Sequence, residues 1–543
     1  MSRNIAETLD KVALEHGERV GIIEAVSGRR LTFSELSARS SAYAGYLKDN
    51  GVRAGDRVML MVKPSADFIC LTFALFKLGS PVILVDPGMG YANLLRCIEG
   101  VRPRFLIGIP KAIIFAKIFR RPFRTVVRSF CCGFSGGLLG PDIRRQGGTG
   151  SNGFSIHKPQ DDDLAAIIFT TGSTGPPKGV RFEHGIFAAQ LDLIHEYYGI
   201  RPSDIDQPAF PLFALFSAAL GACAVIPDMD PTKPARVDPQ KFISSIMQYG
   251  VSYSFGSPAI WNVVSNYCLE RGIVLKSLKK VLMAGAPVPG NLLERVRAIL
   301  PDDAVLYTPY GATESLPIVS IEGSEILQST WQKSREGKGA CVGRHLPGIT
   351  VKVIAITEGP LAEYESVKEM AAGEIGEIIV QGDVVTRAYD NNEKETGLAK
   401  IRDGQNFWHR MGDTGYFDDQ GRLWFCGRKA HRVITPAKTL YTIPCEAIIN
   451  EHPDVFRTAL VGIVEKDNPG FQEPVLIIEP KKDSGRTPEE IMEEVRKLAG
   501  RSELTKDIHR FLAHPDFPVD IRHNAKIFRE KLAVWAEKQV HRS

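Results

Sequence analysis

Short apolar stretches alternate with amphipathic stretches of helical length from about residue 20 onward. GIIEAV is followed by LTFSELSARSSAYAGYLKDNG, which predicts a strand and then a helix ending at Gly51. Residues 57–62 predict a further strand, DFICLTFALFKLG a helix ending at Gly79, and PVILVDPG the next strand. Strands separated by helices usually pair in parallel, with the helices covering the faces of the sheet. The sequence therefore predicts an α/β fold built on mostly parallel sheets.

Two changes along the chain predict further parts of the fold. Residues 340–428 contain mainly strand patterns, among them TVKVIAI, GEIGEIIVQG and GRLWFCG, and so predict an antiparallel β subdomain. After Arg428, short strands such as ALVGIV alternate with charged helices such as PEEIMEEVRKLAG. We therefore expect a large N-terminal domain over residues 1–428, made of αβα sheets plus the β subdomain, and a small α+β C-terminal domain over residues 429–543.

Composition and charge exclude several classes of protein. The net charge is only +4 over 543 residues and no RNP, zinc-finger or heptad pattern is present, so we expect no nucleic-acid partner. The nine cysteines are scattered without a C-x-x-C pair, which indicates reduced thiols. The segment MSRNIAETLD lacks the apolar core of a signal peptide, and no apolar run reaches the roughly eighteen residues that span a bilayer. We expect a cytoplasmic protein.

One segment is locally basic. Residues 102–128 contain eight Lys or Arg and no acid, with apolar residues between them. A segment of this kind can lie on a membrane surface or cover an apolar ligand channel. The alternative is an amphipathic helix that packs on the core and exposes a solvated basic face.

A polar loop follows an apolar strand at residues 168–180, which read IFTTGSTGPPKGV. Small residues let backbone N–H groups approach an anion, and the hydroxyls and Lys178 add further donors. The spacing differs from the Walker pattern, since Lys178 follows Gly175 by three residues and precedes Gly179. The loop therefore predicts a phosphate site of another kind, against the alternative of a flexible surface loop between a strand and a helix.

Two more candidate sites follow predicted strands, where ligands gather in parallel sheets. GAP, at residues 285–287, is a turn of small residues that could face a flat heterocycle, or a plain strand-to-helix turn. In YGATE, Tyr310 could stack on a purine, Thr313 could reach a phosphate, and Glu314 could bind Mg²⁺ through its oxygens. The alternative for YGATE is an exposed loop.

The remaining candidates lie further along the chain. In GDTG, Asp413 could accept hydrogen bonds from a ribose diol, and Arg428 could bind phosphate or ribose oxygens. Residues 418–421 between them are typical of a hairpin turn. Near the C-terminus, Lys526 has no local feature that distinguishes it from a solvated lysine.

These motifs occur in one order that resembles a known family. TTGSTGPPKG, GAP, YGATE, GDTG, GR and a C-terminal lysine resemble the adenylate-forming superfamily of acyl-CoA synthetases, peptide-synthetase adenylation domains and luciferases. LTFSEL and GEIGEIIVQG extend the resemblance over nearly the whole chain. It implies that a carboxylate attacks the α-phosphate of MgATP to give an acyl-adenylate and pyrophosphate. It also implies that the small domain is mobile, with a hinge near residues 429–431.

The resemblance assigns roles to residues of this sequence. ATP and Mg²⁺ are the implied cofactors, with Thr174 and Glu314 placing the metal. Lys526 would bridge the carboxylate and the α-phosphate, and together with Thr174 and Glu314 it forms the implied catalytic set. The implied nucleotide-binding residues are Thr170, Thr171, Gly172, Ser173, Thr174, Gly175, Lys178, Gly285, Ala286, Pro287, Tyr310, Gly311, Thr313, Asp413 and Arg428.

The chain departs from the family in the loops that serve the second, thiol-dependent step. Ala430-His431 replaces the usual Lys-Asp of the hinge, and Ala437 stands where a glycine is usual. PLFALFSAALG lacks the usual histidine at position 214. The resemblance therefore supports adenylation more strongly than thiolation.

These departures, with DPGMG at 86–90, YGATESLP at 310–317 and the basic segment, resemble a narrower group, the olefin-biosynthesis β-lactone synthetases. That resemblance implies a long-chain 2-alkyl-3-hydroxy acid substrate, whose own 3-hydroxyl closes a β-lactone and releases AMP. It also implies a β-lactone decarboxylase and an NADPH-dependent reductase as possible partners. Five aromatic residues are candidates either for channel walls or for ordinary core: Phe210, Phe213, Phe216, Phe255 and Trp261.

Two other functions stay open at this point. A fatty acyl-CoA synthetase would share the fold and differ in requiring coenzyme A. A non-catalytic nucleotide-binding protein would release no pyrophosphate. The general base for lactone closure is not identified, and His431 is either a candidate or a surface residue.

Overall fold

The computed structural model describes residues 4–146, 154–170, 176–465, 468–519 and 527–541. Two largely parallel sheets and one antiparallel sheet make up the first four-fifths of the chain, and a small sheet with its own helices follows. The predicted α/β fold is thus confirmed. All nine cysteines are buried free thiols, as their scattered spacing predicted.

The first parallel sheet has six strands. In spatial order they are Arg128–Cys131, Phe105–Gly108, Val58–Met61, Val82–Leu84, Leu164–Thr170 and Lys178–Glu183. Neighbouring strands are parallel except the last pair, in which Thr170 lies opposite Lys178. The Thr/Ser/Gly loop therefore lies between two antiparallel strands and not between a strand and a helix; whether it is a flexible surface loop is not tested, because residues 171–175 lie outside the described residues.

The second parallel sheet has seven strands. In spatial order they are Val305–Tyr307, Lys280–Met283, Tyr253–Gly256, Ile205–Asp206, Cys223–Ile226, Val20–Glu24 and Arg30–Thr32. Only the last pair is antiparallel. The GAP turn follows directly after the strand Lys280–Met283, at the carboxyl edge of this sheet.

The third sheet is antiparallel and has eight strands, as the strand-rich composition of residues 340–428 predicted. In spatial order they are Tyr310–Ala312, Ser315–Ser320, Ala340–His345, Leu423–Arg428, Asn406–Phe417, Gly376–Gln381 and Thr350–Ile354, and Lys400–Asp403 pairs with Asn406–Phe417. YGATE and GDTG both belong to this sheet.

Helices cover both parallel sheets, and their ends follow local sequence chemistry. Thr32 and Glu35 form a capping box at the start of the helix Phe33–Asp49, in which the Thr32 hydroxyl accepts from the Glu35 amide at 3.2 Å. Gly79 ends the helix Ala66–Leu78 in the left-handed region, with φ of 70°. The α-helices of the first 428 residues are Ile5–His16, Phe33–Asp49, Ala66–Leu78, Tyr91–Val101, Pro110–Ile118, Ile143–Gln146, His184–Tyr197, Phe213–Ala219, Pro239–Tyr249, Pro258–Arg271, Gly290–Ala298, Gly323–Glu325, Trp331–Lys333 and Glu393–Ala399.

Residues beyond Arg428 build a separate apolar core. A 3₁₀ turn at Lys429–His431 is followed by a two-stranded sheet, Val433–Ile434 with Thr439–Leu440, and by a three-stranded sheet of Val455–Val464, Gln472–Pro480 and Arg510–Ala513. The helices here are Thr442–Ile449, Pro488–Ala499 and Arg529–Val540. Buried aliphatic side chains of these elements pack on one another. The domain boundary at residues 428–429 and the hinge stay predictions.

The basic segment 102–128 does not form one amphipathic helix. It contains the buried strand Phe105–Gly108, the short helix Pro110–Ile118 and a turn that leads into the strand Arg128–Cys131. The segment is therefore not one continuous helix, although its short helix does pack on the core through Ala112 and Ile113. None of the described helices is long and apolar enough to cross a bilayer.

Candidate functional site

A continuous cavity of about 2850 Å³ runs between the sheets and reaches the C-terminal elements. Most of the site residues expected from sequence lie on its wall, although they come from distant parts of the chain. These wall residues are Gly285, Ala286, Pro287, Tyr310, Gly311, Thr313, Glu314, Asp413 and Arg428. The cavity is the candidate active site.

Asp413, Arg428 and Tyr310 form a connected group on the antiparallel sheet. Asp413 lies opposite Arg428 on the neighbouring strand, and its Oδ1 accepts a hydrogen bond from Arg428 Nη1 at 2.7 Å. Its Oδ2 accepts another from the Tyr310 hydroxyl at 2.7 Å. The Asp413 charge raises the pKa of Arg428, and burial together with Asp413 raises the pKa of Tyr310 well above its usual value. These two hydrogen bonds fix the orientation of the Asp413 carboxylate.

Glu314 is held by a residue that the sequence did not single out. The Tyr389 hydroxyl donates to Glu314 Oε1 at 2.8 Å. Burial, and then the Glu314 charge, raise the pKa of Tyr389, so it remains a donor at any physiological pH. Tyr389 is itself fixed by pairing of its backbone with Val180 on the strand that follows the Thr/Ser/Gly loop. Tyr389 lies in the polar run TRAYDNNEKET, which reads as an ordinary loop, so sequence offered no signal for it.

Lys178 lies near Tyr389, the partner of Glu314, but does not line the cavity. Its ammonium pairs with Glu395 at 2.5 Å and lies 5.0 Å from the centre of the Tyr389 ring. Lys178 and Glu314 thus both contact Tyr389 and lie close to each other. Two groups that act on one polyphosphate would need to be this close.

Lys400 is a second group that the sequence did not single out. Burial lowers the pKa of Lys400 to about 7, and the charges of Glu314 and Glu183 act in the opposite direction. Its Nζ donates to the Thr386 carbonyl. Lys400 thus lies close enough to Glu314 for the two charges to interact, although burial favours its neutral form.

The fit of Mg²⁺ to this site depends on oxygen donors. Glu314 presents a carboxylate to the cavity, but among the described residues no cluster of three His, Cys, Asp or Glu side chains could hold a metal by itself. Mg²⁺ commonly binds through one or two carboxylates together with substrate phosphates and water. Glu314 fits that mode of binding, in which the nucleotide supplies further ligands.

Three parts of the expected site cannot be placed. Residues 171–175, which include Thr174, and Lys526 lie outside the described residues. Thr170 ends its strand, and its side chain is likewise outside the description. Ile527, the residue after Lys526, and Arg529, two residues further on, both line the cavity.

The C-terminal side of the cavity is held by one ion pair and one hydrogen bond. Arg529 Nη2 donates to both carboxylate oxygens of Glu446, at 2.7 and 2.6 Å. His431 Nε2 lies 3.0 Å from Glu530 Oε1, and the His431 side chain is only 6 % exposed. The interpretation of His431 as a surface residue is therefore wrong. Both contacts fix the start of the last helix, immediately after the segment that carries Lys526.

The apolar lining of the cavity comes from two places in the fold. One part includes Leu84, Leu94, Ile109 and Phe115, beside the six-stranded sheet. The other includes the predicted wall residues Phe210, Phe213, Phe216 and Phe255, and the rings of Phe213 and Phe255 stack with centres 4.0 Å apart. The fifth aromatic prediction, Trp261, is wrong as a wall residue because its side chain is completely buried in the core behind the cavity.

Comparison with known proteins decides the family. The family model described as "AMP-binding enzyme" matches residues 2–390, well over half of the chain. The chain belongs to the AMP-binding enzyme family. This AMP-binding enzyme is 42 % identical to an "Olefin beta-lactone synthetase" of Xanthomonas campestris pv. campestris, over 99 % of this chain and 98 % of the relative. The protein of the same description from Stenotrophomonas maltophilia is also 42 % identical, over 99 % of both chains. The enzyme is an AMP-forming ligase.

Solved structures agree on the fold. An amide bond synthetase from Marinactinospora thermotolerans superposes with a TM-score of 0.80 at 21 % identity, covering 98 % of this chain and 99 % of that one. ATP-bound MatB from Rhodopseudomonas palustris superposes with a TM-score of 0.78 at 20 % identity, covering 98 % and 99 %. At these identities the likeness concerns the fold alone.

Proposed function

We propose that this AMP-binding enzyme adenylates a long-chain 2-alkyl-3-hydroxy carboxylic acid with MgATP and cyclises it to a β-lactone. The observation that carries the proposal is the single cavity that connects the Asp413–Arg428–Tyr310 group with apolar walls from two parts of the fold. A 2-alkyl-3-hydroxy acid carries one alkyl chain on C2 and another on C3. It therefore needs a cavity with room for two apolar chains beside the nucleotide. The 42 % identity over nearly the whole chain to proteins named olefin beta-lactone synthetases supports the formation of a β-lactone.

In the first step a carboxylate oxygen of the substrate attacks the α-phosphorus of ATP, and the bond from that phosphorus to pyrophosphate breaks. Asp413 would accept hydrogen bonds from the ribose hydroxyls, while Gly285–Pro287 and Tyr310 line the adenine. Lys178 and Lys526 would stabilise the charge that builds on the phosphates. Mg²⁺, held by Glu314 and Thr174, would neutralise phosphate charge.

In the second step the substrate's 3-hydroxyl oxygen attacks the carbonyl carbon of the acyl-adenylate. The hydroxyl proton is lost to a base, the four-membered ring closes, and AMP leaves. Because the nucleophile belongs to the same molecule, the step gains the proximity advantage of an intramolecular reaction, which helps to offset ring strain. No thiol is consumed, in keeping with the departures from the family in its hinge and thiol-step loops.

A product assay tests the proposal. The purified enzyme is incubated with MgATP and a racemic long-chain 2-alkyl-3-hydroxy acid, with and without coenzyme A, and products are identified by NMR and mass spectrometry. The expected product is a cyclic ester, together with AMP and pyrophosphate, formed without coenzyme A. The matched control is the same 2-alkyl acid without the 3-hydroxyl, which should form an adenylate and no cyclic ester. A product that forms only with coenzyme A and carries it would make the enzyme a long-chain acyl-CoA synthetase.

The chemistry of substrate and product implies neighbouring reactions. A 3-hydroxy acid arises by reduction of a 3-keto acid, for which an NADPH-dependent reductase is the proposed supplier. A β-lactone yields an olefin by loss of CO₂, for which a β-lactone decarboxylase is the proposed consumer. Mixing the purified proteins and measuring their mass by light scattering tests whether they associate.

A further inference from the structure

The helix Pro110–Ile118 exposes an apolar face. Ile114 and Ile118 are 46 % and 68 % exposed, and their spacing of four residues places them on the same side of the helix. Phe119, directly after the helix, is 38 % exposed. On the inner side of the same helix, Ala112 and Ile113 are buried against the six-stranded sheet. The outer face thus presents large apolar side chains to its surroundings.

Positive charge surrounds this apolar face. Lys117 and Arg120 are exposed and have no acidic partner among the described residues. Arg121 and Arg124 share one acid, Glu99, at 3.4 and 3.7 Å. Since residues 102–128 contain no acid of their own, the surface has a net positive charge.

The same helix forms part of the cavity wall. Ala112 and Phe115 line the cavity from the inner side of the helix. The Phe115 ring lies 4.6 Å from the ring of exposed Phe119 and 6.0 Å from that of Tyr91. Tyr91 lines the cavity too, yet is 71 % exposed. Aromatic rings therefore continue without a break from the cavity to the outer surface.

We propose that the helix Pro110–Ile118 and the turn that follows, to Arg124, form a docking surface for an anionic lipid bilayer, from which the substrate's alkyl chains enter the cavity. Apolar side chains flanked by lysine and arginine suit the boundary between headgroups and acyl chains, where both burial and charge attraction favour binding. A partner protein would need a carboxylate-rich apolar face to fit the same surface. The cavity wall on the inner side of the helix favours lipid, because it explains why the apolar surface adjoins the substrate space. Only the entry of substrate rests on the proposed function.

Vesicle sedimentation without nucleotide or substrate tests the docking surface. The intact enzyme should bind vesicles of phosphatidylcholine with phosphatidylglycerol, bind pure phosphatidylcholine vesicles much less, and lose binding as salt increases. The double variant Lys117→Gln with Ile118→Ser should reduce the partition coefficient by roughly ten-fold, since one cation near an anionic surface contributes about five-fold. Neither residue lines the cavity.

A matched control variant lies on the helix Ile5–His16, where Lys11 and Leu14 are both exposed. Lys11→Gln with Leu14→Ser should leave the partition coefficient unchanged. Equal binding to both kinds of vesicle, or unaltered binding of the Lys117/Ile118 variant, would overturn the proposal, and in that case the face would be tested for protein partners.

A second measurement connects docking to turnover. With a short-chain, water-soluble 2-alkyl-3-hydroxy acid, the Lys117/Ile118 variant should release pyrophosphate at the rate of the unaltered enzyme. With a long-chain acid dissolved in anionic vesicles, its rate should fall about in proportion to its lost binding. A variant that binds poorly but keeps full activity on vesicle-borne acid would refute substrate entry from lipid. A wholly inactive unaltered enzyme would instead contradict the proposed function, while the sedimentation result would stand.

Discussion

Asp413 and Arg428 lie directly opposite each other on adjacent antiparallel strands, and the carboxylate and guanidinium are joined at 2.7 Å. Both residues line the cavity, and the second carboxylate oxygen accepts from Tyr310. The strand register therefore sets the orientation of the carboxylate proposed to bind ribose.

Replacing Asp413 should weaken nucleotide binding. Asp413→Asn keeps the shape of the side chain but removes its charge and one of its acceptors. We expect the apparent KM for ATP to rise ten- to hundred-fold, since hydrogen bonds to charged groups contribute about 1.5–3 kcal/mol. Pyrophosphate release at varied ATP concentration measures the effect.

The control for this prediction comes from the same hairpin. Asp418 accepts from Arg422 and from the Trp424 indole at the turn, away from the cavity. Asp418→Asn should lower thermal stability and leave the KM for ATP unaltered. An Asp413→Asn enzyme with normal ATP dependence would remove Asp413 from the ribose site.

Tyr389→Phe tests whether the Tyr389 hydroxyl positions Glu314. Without the 2.8 Å hydrogen bond, the Glu314 carboxylate is free to rotate away from the position proposed for Mg²⁺. Loss of a group that orients a metal ligand typically weakens metal binding ten- to hundred-fold. We expect the Mg²⁺ concentration for half-maximal pyrophosphate release to rise by about ten-fold, with a smaller change in KM for the acid.

Tyr364→Phe provides the matched control, because Tyr364 also donates to a carboxylate, Glu369, but neither residue lines the cavity. Its Mg²⁺ dependence should match that of the unaltered enzyme. If Tyr389→Phe behaved in the same way, Tyr389 would have only a structural role.

The fold could be predicted from sequence where local patterns decide it. Alternating strands and helices follow from apolar periodicity, and the capping residue Thr32 and the left-handed Gly79 lie where their chemistry requires. Tyr389 and Lys400 could not be predicted, because their importance depends on proximity to Glu314 that only tertiary packing creates. Trp261 was misplaced for a related reason, since an aromatic side chain fits a cavity wall and a closed core equally well in sequence.

Lys526→Ala tests the sequence-based role of the C-terminal lysine. A cation between the carboxylate and the α-phosphate stabilises charge in the transition state, and loss of one such group commonly costs about a hundred-fold or more. We expect adenylate formation, measured by pyrophosphate release, to slow by about that factor. Lys538→Ala, on the exposed side of the last helix, should have no effect. An unaltered rate in the Lys526 variant would make this role wrong.

Asp206 is a buried acid behind the cavity wall, and its protonation makes the stability of the fold depend on pH. Asp206 accepts from the Ser217 hydroxyl at 2.5 Å, and Ser217 also contacts the Tyr253 hydroxyl at 2.9 Å. Ser217 lies on the helix that carries Phe213, and Tyr253 lies on the strand that carries Phe255; the rings of both phenylalanines line the cavity. Burial raises the pKa of Asp206 to about 8.

Asp206→Asn should therefore remove a pH dependence. Between the unfolded pKa of about 4 and the folded pKa of about 8, the native protein retains a proton that the unfolded chain releases, so stability falls as pH rises through this window. The slope is at most about 1.4 kcal/mol per pH unit for one proton. Asparagine mimics the protonated acid. As pH rises from 5 to 8, the Tm of the variant should therefore rise relative to the Tm of the unaltered enzyme. Asp204→Asn, at a partly exposed carboxylate near Lys280, is measured in parallel as the control for removing a carboxylate from the same part of the fold. Parallel curves for Asp206→Asn and the unaltered enzyme would mean that Asp206 is ionised in the native fold.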